Sequence, residues 1–259
     1  MNSALSKLFD LSGRHALVTG AGSGIGRSAA LLLAAHGATV TLCGRRVDRL
    51  QQVRSEIERA GGRAAGVPMD VGAAASIVSA IESAASSLGP VEILVNNAGV
   101  SGHSSIADMS EAEWDGILDT NLKGAWLCAR EVARRLIAVN KPGSIINVAS
   151  VLGFVPQKGT GPYGASKAGL LHLTRVMANE WARHGIRVNA IAPGYIATDM
   201  ADEFMASERG RKVTAAIAQR RVGAVDELSG ALLLLASDAS SYMTGSTITV
   251  DGGLSLGTI

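Results

Sequence analysis

"TGAGSGIG", residues 19–26, lies between a β-branched run, "HALVTG" (15–20), and a helical pattern, "GIGRSAALLLAAHG" (24–37). Gly20, Gly24 and Gly26 stand at GxxxGxG spacing. A glycine turn from strand to helix lets a ligand's phosphates approach the backbone and meet the positive end of the helix. Taken alone, the turn is equally a tight structural corner. Its place after the first strand and at the mouth of a helix favours the phosphate cradle.

Working outward, the same alternation repeats. "ATVTLCG" (38–44), "RAAGVPM" (63–69), "VEILVNN" (91–97), "GSIINVAS" (143–150), "IRVNAIAP" (186–193) and "STITVDGG" (246–253) read as strands. Between them 46–62, 73–89, 110–140, 163–184 and 226–238 read as helices, several closing at a glycine such as Gly37, Gly61 or Gly89. Strands apolar on both faces suit a parallel sheet covered on each side. No Pro- or Ser-rich linker interrupts the pattern, so the expectation is one doubly wound α/β domain over 1–259. In such sheets ligands bind outside the carboxyl ends of the strands. The stretch 194–225 has weak periodicity, several charges and methionines, and is expected to cover that edge as a lid.

Composition removes other classes. Hydrophobic residues are 47 %, net charge is +2 and aromatics are 3 %. Scattered cations and few aromatic rings argue against a nucleic-acid groove. Cys43 and Cys128 lie far apart in apolar runs and read as buried reduced thiols. The histidines form no HxxxH or HExxH cluster, so no metal site is expected. "MNSALSKLFDLSGR" lacks a secretory apolar core, and no run reaches the roughly 18 residues of a membrane helix. The expectation is a cytoplasmic protein with no membrane partner. GxSxG and GxxxxGK[ST] are absent, which sets aside the hydrolase elbow and the NTPase loop.

Four further motifs fall near the carboxyl edge. The second strand ends in "CGRR", with Gly44 where an NAD enzyme usually carries a carboxylate and Arg45 directly after. Arg45 could pair with a 2′-phosphate, or with Arg46 simply open a solvated helix. "NNAG" (96–99) and "NVAS" (147–150) end strands four and five, the latter placing Ser150 at the edge. Asn121 falls within a helical stretch that asparagine suits poorly. In "YGASK" (163–167), Tyr163 and Lys167 share a helix face one turn apart, with small residues between them.

In this order, "TGAGSGIG", "NNAG", Asn121, Ser150, "YGASK" and "PGYIATDM" resemble the short-chain dehydrogenase/reductase family across nearly the whole chain. The resemblance implies a Rossmann fold with a seven-stranded parallel sheet in order 3-2-1-4-5-6-7, a homotetramer, and a nicotinamide cofactor. It implies a tetrad of Asn121, Ser150, Tyr163 and Lys167. Tyr163 would move the proton, Lys167 would favour its phenolate and hold the nicotinamide ribose, Ser150 would hold the substrate oxygen, and Asn121 would place a relay water. It further implies cofactor contacts at Gly20, Ser23, Gly24, Ile25 and Gly26, at Asp70 and Val71 against adenine, at Asn97 on the ribose side, and at Ile196 and Thr198. Arg45 turns the expectation toward NADP, with NAD possible, because Ser23 stands where some NADP enzymes carry a basic residue.

The expected reaction interconverts a ketone and a secondary alcohol on a small molecule. The opening of the chain is similar to the gluconate 5-dehydrogenase branch, which suggests a keto-sugar or polyol. The whole chain is also similar to 3-oxoacyl-acyl-carrier-protein reductases, and a nucleotide-binding protein without turnover is the reading of another class. Pocket candidates lie in 101–105, 151–158 and 195–215, mixing Val151, Phe154 and Met205 with His103, Gln157 and Lys158.

Overall fold

A computed structural model of the chain describes residues 3–197 and 207–257. Seven strands form one parallel sheet: β1 (His15–Thr19), β2 (Thr39–Gly44), β3 (Arg63–Pro68), β4 (Ile93–Asn96), β5 (Gly143–Val148), β6 (Ile186–Pro193) and β7 (Thr247–Val250). Their order is β3-β2-β1-β4-β5-β6-β7. The chain works outward from β1 to β3, returns to the middle at β4, and then works outward the other way. The crevice where the direction reverses therefore lies between β1 and β4, which pair in parallel with Val18 opposite Val95.

The described helices are α1 (Ser3–Leu8), α2 (Gly24–Ala35), α3 (Val47–Arg59), α4 (Ala74–Leu88), α5 (Glu111–Leu118), α6 (Gly124–Ala138), α7 (Gly161–Trp181), α8 (Glu208–Ala216) and α9 (Ser229–Ala236). Because strand side chains alternate between faces, β1 serves two layers at once. Ala16 and Val18 pack with Leu33 of α2, Leu50 of α3 and Leu232 of α9. Leu17 packs with Ile81 of α4, Cys128 of α6 and Met177 of α7. Both thiols belong to this second layer. Cys43 and Cys128 are fully buried and free, and burial pushes Cys43 far up and Cys128 up to about 12.

The stretch 110–140 was expected as one helix and is not one. Ser110 opens α5 with a full capping box, its hydroxyl accepting from Glu113 N–H while the Glu113 carboxylate accepts from Ser110 N–H. A π-helical turn at Asp119–Lys123 then separates α5 from α6, closed by Gly124 N–H donating to Asp119 O. The extra residue of that turn re-aims its side chains, and Asn121 sits at its centre. Within 194–225, the described part holds α8, capped by Ser207, whose hydroxyl accepts from Gly210 N–H. Among the described residues no helix is long and apolar enough to cross a membrane.

Candidate active site

The glycine turn sits at the β1 carboxyl end. Gly26 has no room for a side chain: a Cβ there would stand 2.2 Å from Gly20 O and 2.5 Å from Asn97 Nδ2. Gly20 itself adopts φ +66°, open to glycine at no steric cost. Asn97 fastens the turn, its amide donating to Thr19 O at 3.0 Å and Gly20 O at 3.3 Å. Thr19 Oγ1 in turn accepts from both Asn97 N–H and Ala98 N–H at 3.0 Å. The "TGAGSGIG" and "NNAG" motifs are thus one structure, and Thr19, which the sequence reading passed over, joins them.

The mouth of α2 fits a phosphate group. Ser23 makes no side-chain cap, and the first turn holds no acidic residue. The leading amides therefore keep their donors, and the helix end keeps its positive potential. Ser23 Oγ accepts instead from Arg46 Nη2 at 3.0 Å. Arg46 is thus fastened to this turn, and both it and Arg45 are exposed. Past β3, Asp70 Oδ1 accepts from Gly72 N–H at 3.0 Å, while Val71 is buried against Gly124 at the start of α6. Ile196 is buried and pairs with Gly223 in an isolated bridge. Thr198 and Met205 lie outside the described residues.

At the carboxyl ends of β4 and β5 the four tetrad candidates come together. Ser150 leaves β5 in extended conformation, its hydroxyl accepts from Leu152 N–H at 3.1 Å, and it lies close enough to the Tyr163 phenol to favour the ionised form. Lys167, one turn along α7, points its ammonium at Val148 O, 2.8 Å away and 5.6 Å from the Tyr163 ring centre. Burial lowers Lys167 to about 8. Gly99 passes beside it: a Cβ there would lie 3.1 Å from Asn121 Oδ1 and 3.7 Å from Lys167 Nζ.

Asn121 is held on every side. Its Oδ1 accepts from Val100 N–H at 2.8 Å, and its Nδ2 donates to Val100 O at 2.9 Å and to Ser166 Oγ at 3.2 Å. Ser166 passes the connection on, donating to Tyr163 O at 2.7 Å. The small residue between tyrosine and lysine, read from the sequence as a spacer, is the bridge from the π-turn to α7. A second buried chain lies alongside. Asn96 Nδ2 donates to Ala125 O at 3.0 Å and Asn147 Oδ1 at 2.9 Å, and Asn147 Nδ2 donates to Thr174 Oγ1 at 2.8 Å. Through it β4, β5, α6 and α7 are held in register at the edge.

The Tyr163 phenol is pushed above its ordinary value. Burial is the largest cause, partly offset by the Ser150 hydrogen bond and reinforced by the nearby Tyr195.

Comparison with known proteins bears on the fold and the family. The family model described as short chain dehydrogenase matches residues 14–209. The gluconate 5-dehydrogenase of Gluconobacter oxydans is 37 % identical over 253 residues, covering 96 % of this chain and 97 % of that protein. A 3-oxoacyl-acyl-carrier-protein reductase of Staphylococcus aureus is 38 % identical over 243 residues, with 93 % and 98 % covered. The crystal structure of a gluconate 5-dehydrogenase from Burkholderia cenocepacia in complex with NADP and tartrate superposes with a TM-score of 0.93 at 34 % identity, covering 98 % of this chain and all of that one. Sheet order, motif order and similarity along most of the length lead to one assignment: the chain belongs to the short chain dehydrogenase family, oxidoreductases acting on CH–OH groups.

Proposed function

We propose that this chain is an NADP(H)-dependent oxidoreductase that interconverts a ketone and a secondary alcohol on a keto-sugar or polyol, with Tyr163 as its acid and base. The observation that carries the reading is the convergence of Ser150, Tyr163 and Lys167 at the carboxyl edge, beside the turn that fits a phosphate. A nicotinamide nucleotide, when bound, supplies or accepts the hydride.

The chain's own groups manage the oxygen and its proton. Burial holds the Tyr163 proton in place, so at neutral pH the phenol is a donor ready for an oxygen gaining negative charge. Ser150, beside the same phenol, turns its hydroxyl proton toward that oxygen and stabilises it. In the oxidative direction Tyr163 must release its proton, and the Lys167 ammonium 5.6 Å from the ring centre stabilises the phenolate left behind. Asn121, fully engaged through its side chain, fixes the π-turn and the wall that faces Lys167.

Arg46 over Ser23 and Arg45 beside it make the adenosine end basic, which suits a 2′-phosphate. In the same reading the chain is a single domain whose 194–225 segment covers the substrate. It is a cytoplasmic homotetramer, and exposed Trp126 and Ile137 of α6 and Val176 of α7 support an interface. The similarity to a 3-oxoacyl-acyl-carrier-protein reductase supports a second reading, reduction of a β-ketoacyl thioester.

Absorbance of the nicotinamide band tests these readings with NADPH and NADH against keto-sugars and β-ketoacyl thioesters. NADPH consumption with keto-sugars is expected, falling about a thousandfold in Tyr163→Phe. A faster rate with NADH would overturn the role of the two arginines, and a preference for thioesters would select the second reading. Nucleotide binding without turnover across the panel would mark a binding protein instead.

A further inference from the structure

Gln157 and Tyr195 come from segments far apart in sequence, yet the Tyr195 hydroxyl donates to Gln157 Oε1 at 2.8 Å. Gln157 stands six residues before Tyr163 in the loop leading into α7, where Thr160 Oγ1 donates to Gln157 O at 2.9 Å. Tyr195 follows β6, the neighbour of β5, the strand that leads to Ser150. Its backbone is pinned, with Gly223 N–H donating to Tyr195 O at 3.0 Å and Ala197 N–H donating to Gly223 O at 2.8 Å. Neither partner of this pair is on a loose end.

A third segment closes on the same loop. The His103 ring fills the space over Gly159, where a Cβ would stand 2.3 Å from the imidazole Cε1. Ser104 N–H donates to Gly159 O at 3.2 Å and keeps it there. Three segments therefore meet beside Tyr163 and bring a phenol, a carboxamide and an imidazole to one rim. The Tyr195 phenol is near enough for its field to act on Tyr163.

We propose that Gln157 and Tyr195 are the pair that reads a hydroxyl on the substrate carbon next to the reacting one. The inference rests on the ketone–alcohol reading above and gives it a specificity device. A phenol and a carboxamide each both donate and accept, so a hydroxyl beside them finds both a donor and an acceptor. An unsubstituted chain in that place leaves polar groups facing methylenes, and a site built to bond a hydroxyl rejects analogues that lack it. The pair therefore selects hydroxylated ketones and works against the acyl chain of a β-ketoacyl thioester.

The test uses matched substrates: hydroxyacetone against butan-2-one in reduction with NADPH, and propane-1,2-diol against butan-2-ol in oxidation with NADP. The readout is the ratio of kcat/KM within each pair. Tyr195→Phe and Gln157→Leu are each expected to lower the hydroxylated-to-plain ratio about tenfold. The double variant should lower it no further than the stronger single change, because the two residues act as one unit. A loss shared equally by both members would overturn the proposal and make the bond a mere fastening of the loop. An unchanged ratio would overturn it as well. If the unaltered protein turned over no ketone or polyol at all, the underlying reading would fall. Turnover with selectivity retained in the variants would remove only the pair's role.

Discussion

Leu94 and Asn96 are two residues apart on β4 and point to the same side of the sheet, yet they live by different rules. Leu94 is buried among Leu17, Ile145 and Val188, where apolar contact alone holds it. Asn96 is as deeply buried and depends on Ala125 O and Asn147 Oδ1. The same change occurs on β5 between Ile145 and Asn147. The body of the sheet stores stability, whereas its carboxyl edge buries Asn121, Ser150, Ser166 and Lys167, groups that water would hold more cheaply. What keeps the edge in place is hydrogen bonding anchored in the body beneath it. Rigid placement of reacting groups is thus separated by one strand pleat from the packing that makes it possible.

The largest test removes packing and leaves chemistry. Leu94→Ala is expected to cost about 2–5 kcal/mol in urea unfolding while the folded fraction retains its turnover number. A turnover number that falls in step with stability would show that body and edge are not separable.

Next comes the reverse case. Lys167→Met should abolish turnover and yet raise stability at pH 7 by about 2 kcal/mol, because a buried cation gives way to a buried thioether. The sign follows from the lowered amine. Below about 8 the lysine is charged in both folded and unfolded chains, and folding bears the burial of that charge. Above the ordinary value near 10.5 it is neutral in both, so the advantage of the variant should shrink between those limits. Melting curves across that range check it, and an advantage independent of pH would refute the assignment.

The smallest effect belongs to the bridge. Ser166→Ala takes away the link between Asn121 and Tyr163 O, and is expected to lower kcat about tenfold with KM little altered. Ser166→Thr, which restores a hydroxyl, should recover part of the loss. A change in KM alone would make Ser166 part of the packing rather than of the arrangement.

Much of this architecture was legible because it is periodic. Each strand falls within its expected run, β2 at Thr39–Gly44 against 38–44 and β6 at Ile186–Pro193 against 186–193. The helix expected over 110–140 failed at the residue that had already looked out of place, since Asn121 belongs to a π-turn that no i, i+4 pattern encodes. Tyr163 and Lys167 announced themselves as large residues one turn apart. Ser166 and Thr19 did not, because a small hydroxyl is informative only through its partner. Asn121, which donates to Ser166, is 45 residues away, and Asn97, which donates to Thr19, is 78. The bond from Arg46 to Ser23 was likewise not legible, as adjacent guanidiniums differ only in where the helix start points them. The burial that raises Tyr163 was not legible either, because adjacency to a cation is visible in a sequence and burial is not.

Cys43 and Cys128, the chain's two cysteines, are both sealed in the layer between the sheet and α4, α6 and α7. Neither sulfur can meet a bulky alkylating reagent unless that layer parts. The protein therefore carries its own stopwatch: when reclosing is faster than labelling, the rate of thiol capture equals the reagent's intrinsic rate multiplied by the fraction of time the layer stands open. A nucleotide that binds only the closed form slows that clock by the factor 1 + [L]/Kd. Timed thiol capture thus weighs a ligand's grip on the folded state without following a single turnover.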